Sequence, residues 1–199
     1  MATITIKEIA ANLDMAEVET TLPNGRVVKG ISWSPANLPA VFKSVEGLRD
    51  PSAAIVIDGA APIWMMVCVA HAAHPSSVGI NYPQGDCVLP VSGAPLGDAS
   101  ENTEISISVT EGETSTKVEI SLNGEAIDAV KACQELVVPA VPHGKPVVIT
   151  GRAPAAIYAG ISEAVAHLVP AIAVFQPGTG NVIAVSHSKE WGLGDIIEA

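Results

Sequence analysis

The chain repeats itself, and that constrains its fold more than any other feature. SAAIVIDGAAPIWMMVCVAHAAHPSSVGINYPQGDCVLPVSG (52–93) lines up with GKPVVITGRAPAAIYAGISEAVAHLVPAIAVFQPGTGNVIAVSH (144–187). The shared frame is an apolar β-run, Gly-x-Ala-Pro, an Ala-rich helix-like run, a second β-run, a turn with Pro and Gly, and a third β-run ending Val-Ser. Gly59 pairs with Gly151 at a separation of 92, and Val91-Ser92 with Val185-Ser186 at 94. Upstream, VETTLPNG (18–25) corresponds more loosely to VEISLNG (118–124). A self-similar chain of 199 residues reads as two related units rather than one medium domain. The Gly-, Pro-, Ser- and Asp-rich SGAPLGDASEN (92–102) suits a connection between them. The expected units are therefore 1–97 and 98–199.

The periodicities within each unit define the fold class. ATITIKEI and EISISV alternate with period two, as strands exposed on one face do. TKVEISL reads as a strand entering a turn at Asn123-Gly124. Residues 36–48 and 125–136 have helical spacing of apolar positions. AAIVID (53–58) and KPVVIT (145–150) are continuous apolar runs, the pattern of parallel strands covered on both faces. Each leads through a turn and a helix to a further β-run, SVGINY (77–82) or AIAVFQ (171–176). This is a βαβ unit with a right-handed crossover. The expected architecture is α/β, two tandem Rossmann-like units, each a mixed sheet around a central βαβ element.

Composition narrows the partners. Hydrophobic residues make up 48% of the chain and charged residues 16%, which excludes a disordered protein. Ten basic against 21 acidic residues leave a net charge of −11, so gripping long nucleic acid through its phosphates is excluded as a function class. Cys68, Cys87 and Cys133 are odd in number, lack CxxC spacing and read as reduced thiols. The N-terminus carries no signal-peptide pattern, and the apolar stretch 53–73 is broken by Asp58, Gly59, Pro62 and His71. A cytoplasmic protein without membrane partners is expected.

Two groups of residues could carry chemistry. Asp58-Gly59-Ala60-Ala61-Pro62 and Thr150-Gly151-Arg152-Ala153-Pro154 each end a buried strand at Gly and open a helix with Pro. Free N–H groups at such helix starts, with the helix dipole, hold small anions, and Arg152 adds a bidentate phosphate donor. The same residues also serve as ordinary turns, and the occurrence of the turn in both halves is what favours a paired ligand site. His71 and His74, at i and i+3 before Pro75, share one helix face, and His167 occupies the analogous end of the second helix. A helix-end His commonly caps or offsets the dipole, so these also have an ordinary structural reading. An i, i+3 His pair is too weak a pattern to assign a metal site, and none is assigned. His187 ends the last β-run where the first copy has Gly93. His143 falls in a Pro-Gly loop and reads as solvated. Trp64 reads as core, and Trp191 as an aromatic that docks or stays exposed. Gly-x-Ser-x-Gly, P-loop and HExxH patterns are absent.

Gly59-Ala60-Ala61-Pro62-Ile63-Trp64, Ala-His-Ala-Ala-His-Pro (70–75), Gly151-Arg152-Ala153-Pro154 and Val-Ser-His (185–187) resemble the third family of CRISPR-associated ring nucleases, compact proteins of type III systems. The resemblance covers roughly 52–93 and 144–199. It implies a CARF-like fold and binding and cleavage of cyclic tetra-adenylate between subunits. Manganese-dependent RNA-end trimming is also associated with the family, so manganese enters as a cofactor by resemblance alone and none is assigned from the residues. Family chains are about the size of one half, so the chain resembles a tandem fusion. The family's Asp-Pro-Arg motif reads Tyr82-Pro83-Gln84 and Gln176-Pro177-Gly178 here. On this resemblance His74 and His167 are the expected catalytic residues. Gly59, Ala60, Pro62, Gly151, Arg152, Pro154 and His187 are the expected ligand-binding set, in a homo-oligomer. The alternatives are a sensor or sponge that binds cyclic oligoadenylate without cutting it, and a structural assembly protein.

Overall fold

A computed structural model describes residues 2–21, 25–50, 52–91 and 93–198. Leu22 to Asn24, in the segment VETTLPNG, and Ser92 lie outside the described residues. In chain order the first half forms β1 (Ala2–Thr5), α1 (Ile6–Asn12), β2 (Glu17–Thr21), β3 (Val27–Ile31), α2 (Leu38–Glu46), β4 (Ala54–Asp58), α3 (Ile63–Ala72), β5 (Ser77–Tyr82) and β6 (Cys87–Val91). The second half forms β7 (Ile105–Glu111), β8 (Thr116–Leu122), α4 (Ala129–Gln134), β9 (Val147–Gly151), α5 (Ala155–Val165), β10 (Ala171–Gln176), β11 (Gly180–Ser186) and β12 (Ile196–Ile197). The protein is α/β, as its periodicities predict.

One sheet runs β1-β4-β5-β6 and the other β12-β11-β10-β9-β8-β7. Their inner four strands follow one pattern. β1, β4 and β5 are mutually parallel with β6 antiparallel, and β8, β9 and β10 are parallel with β11 antiparallel. Ile57 lies opposite Ile4, and Ile149 opposite Val118. The strand that matches β8 in place is therefore β1. The looser match between 18–25 and 118–124 fails, because β2 pairs with β3 in a separate two-stranded hairpin.

The first strand is shorter than its alternation predicts. Thr5 and Glu8 form a capping box, the Thr5 hydroxyl accepting from the Glu8 N–H at 3.1 Å while the Glu8 carboxylate accepts from the Thr5 N–H at 3.1 Å. These reciprocal bonds start α1 at Ile6 and end the strand. The connection between the halves is also tied down. Leu96 bridges to Val138, and Asp98 caps a short turn of helix by accepting from Ser100.

One core joins the halves. α3 buries every residue except Ile63 and His71, and α5 buries Ala156 through Ser162 and Val165. A helix apolar on all sides must be covered on all sides. α3 packs on α5 and on β10 and β11 of the other half, while α5 packs on β5 and β6. Each fully buried large apolar side chain here contributes about 1.5–3 kcal/mol, so neither half alone could satisfy its own central helix. Trp64 is in this core at 2% exposure. Trp191 packs on Val148, Ala171, Ala173, Ile183 and Ile197, so the tail docks on its own sheet.

The two βα turns share one backbone geometry. Gly59 has φ +112° and Gly151 φ +118°, and Pro62 and Pro154 are N-caps with ψ 148°. Each Pro thus stands one residue before the helix rather than inside it, its carbonyl accepting the first turn's bonds. A Cβ on Gly151 would meet the Ile120 carbonyl oxygen at 2.0 Å, and one on Gly59 the Ile6 Cβ at 3.0 Å. Gly151→Ala should lower stability by about 3 kcal/mol or more and Gly59→Ala by about 1–3 kcal/mol, measured by urea denaturation. Equal, sub-kilocalorie effects at both would contradict this reading of the turns.

Candidate functional site

The expected site residues separate into two groups at opposite ends of the central helices. α3 and α5 lie with their starts together and their ends together. One cavity near the starts joins Gly59 and Ala60 to Pro154, and another joins Pro62 to Gly151. A third cavity joins His74 at the end of α3 to Glu163 and His167 at the end of α5. Ten residues of α3 span about 15 Å, which keeps the turns and the imidazoles apart. His74 and His167 therefore meet each other but not Gly59, Gly151 or Arg152.

At the helix-start face the turns are held from behind. The Tyr158 hydroxyl donates to the Gly151 carbonyl at 2.7 Å, and burial pushes its pKa up to about 12, so it stays a donor. Asn81 donates to Asp58 at 2.6 Å beside the first turn. Neither helix start has a side-chain cap. Arg152 is exposed, and its backbone N–H donates to Ile120 at 3.3 Å. The adjoining cavities are about 320 and 520 Å³.

At the helix-end face four imidazoles surround one carboxylate. His71 Nδ1 lies 2.8 Å from Glu163 Oε1, with side chains only 9% and 12% exposed. A carboxylate only accepts, so Nδ1 of His71 carries the hydrogen. His74 Nδ1 is 3.6 Å from Glu163 Oε2, an ion-pair distance if that ring is protonated, and its side chain is 54% exposed. Ring centroids lie 6.2 Å apart for His74 and His167, 5.3 Å for His167 and His187, and 5.2 Å for His71 and His187. Phe42 of α2 stands against His71 at 6.5 Å. The exposed rings of His74, His167 and His187 thus form a rim above a largely covered Glu163–His71 pair. The cavity beside it, about 310 Å³, is also lined by Ala70, Val91 and Gly93. Groups able to take and give protons stand here within reach of one bound molecule.

His187 belongs with the imidazoles rather than with the ligand-binding turns. His71, read from the sequence as a capping residue, is the most buried imidazole of the group. Glu163 escaped the sequence reading, although it is the lone charged residue between Ala155 and Ala166 and stands 92 positions after His71. His143 is exposed, and Cys68, Cys87 and Cys133 are free. Burial raises the Cys68 thiol to about 12 and the Cys133 thiol to about 11, which makes both inert as nucleophiles.

The fold and this cluster define an α/β protein with an imidazole–carboxylate centre between two similar halves. Residues 124–198 match the model of a family described as CRISPR-associated protein (Cas_csx3). The match takes in the Gly151 turn, Glu163, His167 and His187, while His71 and His74 lie outside it. No curated protein matches the chain. Among the described residues no helix is long and apolar enough to cross a membrane.

Manganese, which the resemblance implies, finds no fit. Among the described residues no three His, Cys, Asp or Glu side chains are arranged to hold one ion. Both oxygens of Glu163 already face imidazoles.

His187 titrates below the ordinary imidazole value of 6.5, chiefly through partial desolvation of its otherwise exposed ring and then through electrostatic repulsion from His71 and His167. Glu163 acts in the opposite direction. Between the lowered and the ordinary value the unfolded chain binds more protons than the folded one, so stability falls as the pH drops below about 6.5. His187→Asn should flatten that part of the stability–pH curve measured by chemical denaturation. An unchanged slope would contradict the assignment.

Proposed function

We propose that this protein binds a cyclic oligoadenylate, cyclic tetra-adenylate in the first instance, and opens its phosphodiester ring to end type III CRISPR signalling. The observation that carries this is the convergence of His74, His167 and Glu163 on one cavity between the halves. At about 310 Å³ the cavity is at the small end of ligand sites. It suits one ribose–phosphate linkage, with the rest of the ring on the surface.

The chemistry needs no metal. A 2′-hydroxyl held in line attacks the adjacent phosphorus, and the bond from phosphorus to the 5′-oxygen breaks. One neutral imidazole takes the hydroxyl proton and a protonated one gives a proton to the leaving oxygen, so the proton balance closes. His74 and His167, on the rim and 6.2 Å apart, stand as that pair. The product is linear, ending in a 2′,3′-cyclic phosphate.

A second reading is a sensor or sponge that retains the ring uncut. The pairing of the Gly59 and Gly151 turns, away from the imidazoles, favours it. There the N–H groups at the two helix starts and Arg152 would hold phosphates. The −11 net charge is compatible with either, since a small ring needs few cations.

Labelled cyclic tetra-adenylate incubated without metal and with manganese decides between them. Metal-independent linear product is expected, with His74→Ala and His167→Ala slowing the reaction by about 100-fold or more and Arg152→Ala leaving it. Tight binding by calorimetry without product, lost in Arg152→Ala, would establish the second reading instead.

A further inference from the structure

The two halves differ where they should match. Position 71 of the first half corresponds to 163 of the second, at the same separation of 92 that relates Gly59 to Gly151. In a symmetric pair of identical units a residue at this place would meet its own copy, His against His or Glu against Glu. Here His71 meets Glu163 at 2.8 Å in a part-buried contact. The second difference is at the rim. His187 corresponds to Gly93, at the separation of 94 that relates Val91 to Val185. His187 lays its ring between His71 and His167. Gly93 has no side chain and borders the cavity, and a Cβ built on it meets nothing within 4 Å.

We propose that the helix-end face carries a single phosphodiester-binding cavity, on the Gly93 side, in which Glu163 positions His71 and His74, while His187 fills the corresponding place in the other half. This rests on the reading of the imidazole face as the reactive one. Glu163 is a positioning residue: it holds the hydrogen of His71 on Nδ1 and sets a negative charge behind His74, leaving Nε2 of His74 for the ligand. One ring is therefore processed at one place per chain.

The test is a titration of protein labelled with ¹⁵N at histidine, using adenylyl-(3′→5′)-adenosine as a minimal phosphodiester and cyclic tetra-adenylate in parallel. The imidazole resonances of His74 and His167 should shift with one dinucleotide per chain. Gly93→His should abolish the shift, whereas Gly93→Ala and His187→Gly should keep it. Glu163→Gln, nearly isosteric, should move the Nδ1 and Nε2 shifts of His71 towards a mixture of tautomers even without ligand. Two binding events per chain, a shift that survives Gly93→His, or no shift of His74 and His167 with either probe would each overturn the proposal. Dinucleotide binding at His74 and His167 without binding or cleavage of cyclic tetra-adenylate would sustain the single cavity and reject the cyclic oligoadenylate reading.

Discussion

The burial of two apolar helices between two sheets is the constraint on which the rest of the structure depends. α3 carries Trp64, Met65, Met66, Val67, Cys68 and Val69 in sequence, all buried, and no single sheet face can cover them. The other half supplies the cover through α5, β10 and β11. Bringing the helices together side by side fixes both ends of the pair. Their starts juxtapose the glycine turns, and their ends juxtapose His71, His74, Glu163 and His167. Every candidate site residue is placed by that one packing arrangement, with His187 added from the end of β11.

The same arrangement explains how an acidic protein can keep one carboxylate largely out of solvent at its central seam. A buried carboxylate is costly unless it is hydrogen-bonded and balanced. Glu163 meets an imidazole from the other half at 2.8 Å, so the hydrogen-bond partners are supplied from both sides of the interface. Exposed imidazoles then sit above a fixed pair. Such layering, a rigid inner contact beneath accessible proton carriers, is what acid–base work requires.

Much of this architecture was legible in the sequence. The continuous apolar runs at 53–58 and 145–150, the Gly-x-Ala-Pro turns and the internal repeat gave the βαβ units and their correspondence. The helix after Thr5 is hidden in the sequence, because Ile-Lys-Glu-Ile satisfies a strand's alternation as well as a helix's first turn. There the capping box with Glu8 decides. The site was half legible. Residue types were identified, but Gly59 and His74 were both assigned to one cyclic ligand although a helix lies between them. Neighbourhood along a helix is distance in space, whereas His74 and His167, 93 residues apart, share a cavity. Glu163 was silent because a single carboxylate in an Ala-rich helix signals nothing until its partner across the interface is known.

Phosphodiester chemistry is proposed for the imidazole face rather than for the glycine turns. A crystal structure with cyclic tetra-adenylate whose 2′-hydroxyls are replaced by hydrogen, and which therefore cannot open by internal attack, tests it most directly. A phosphate should be seated between His74 and His167 beside Gly93. A ring lodged on the Gly59 and Gly151 turns, with no phosphate at His74 or His167, would contradict it.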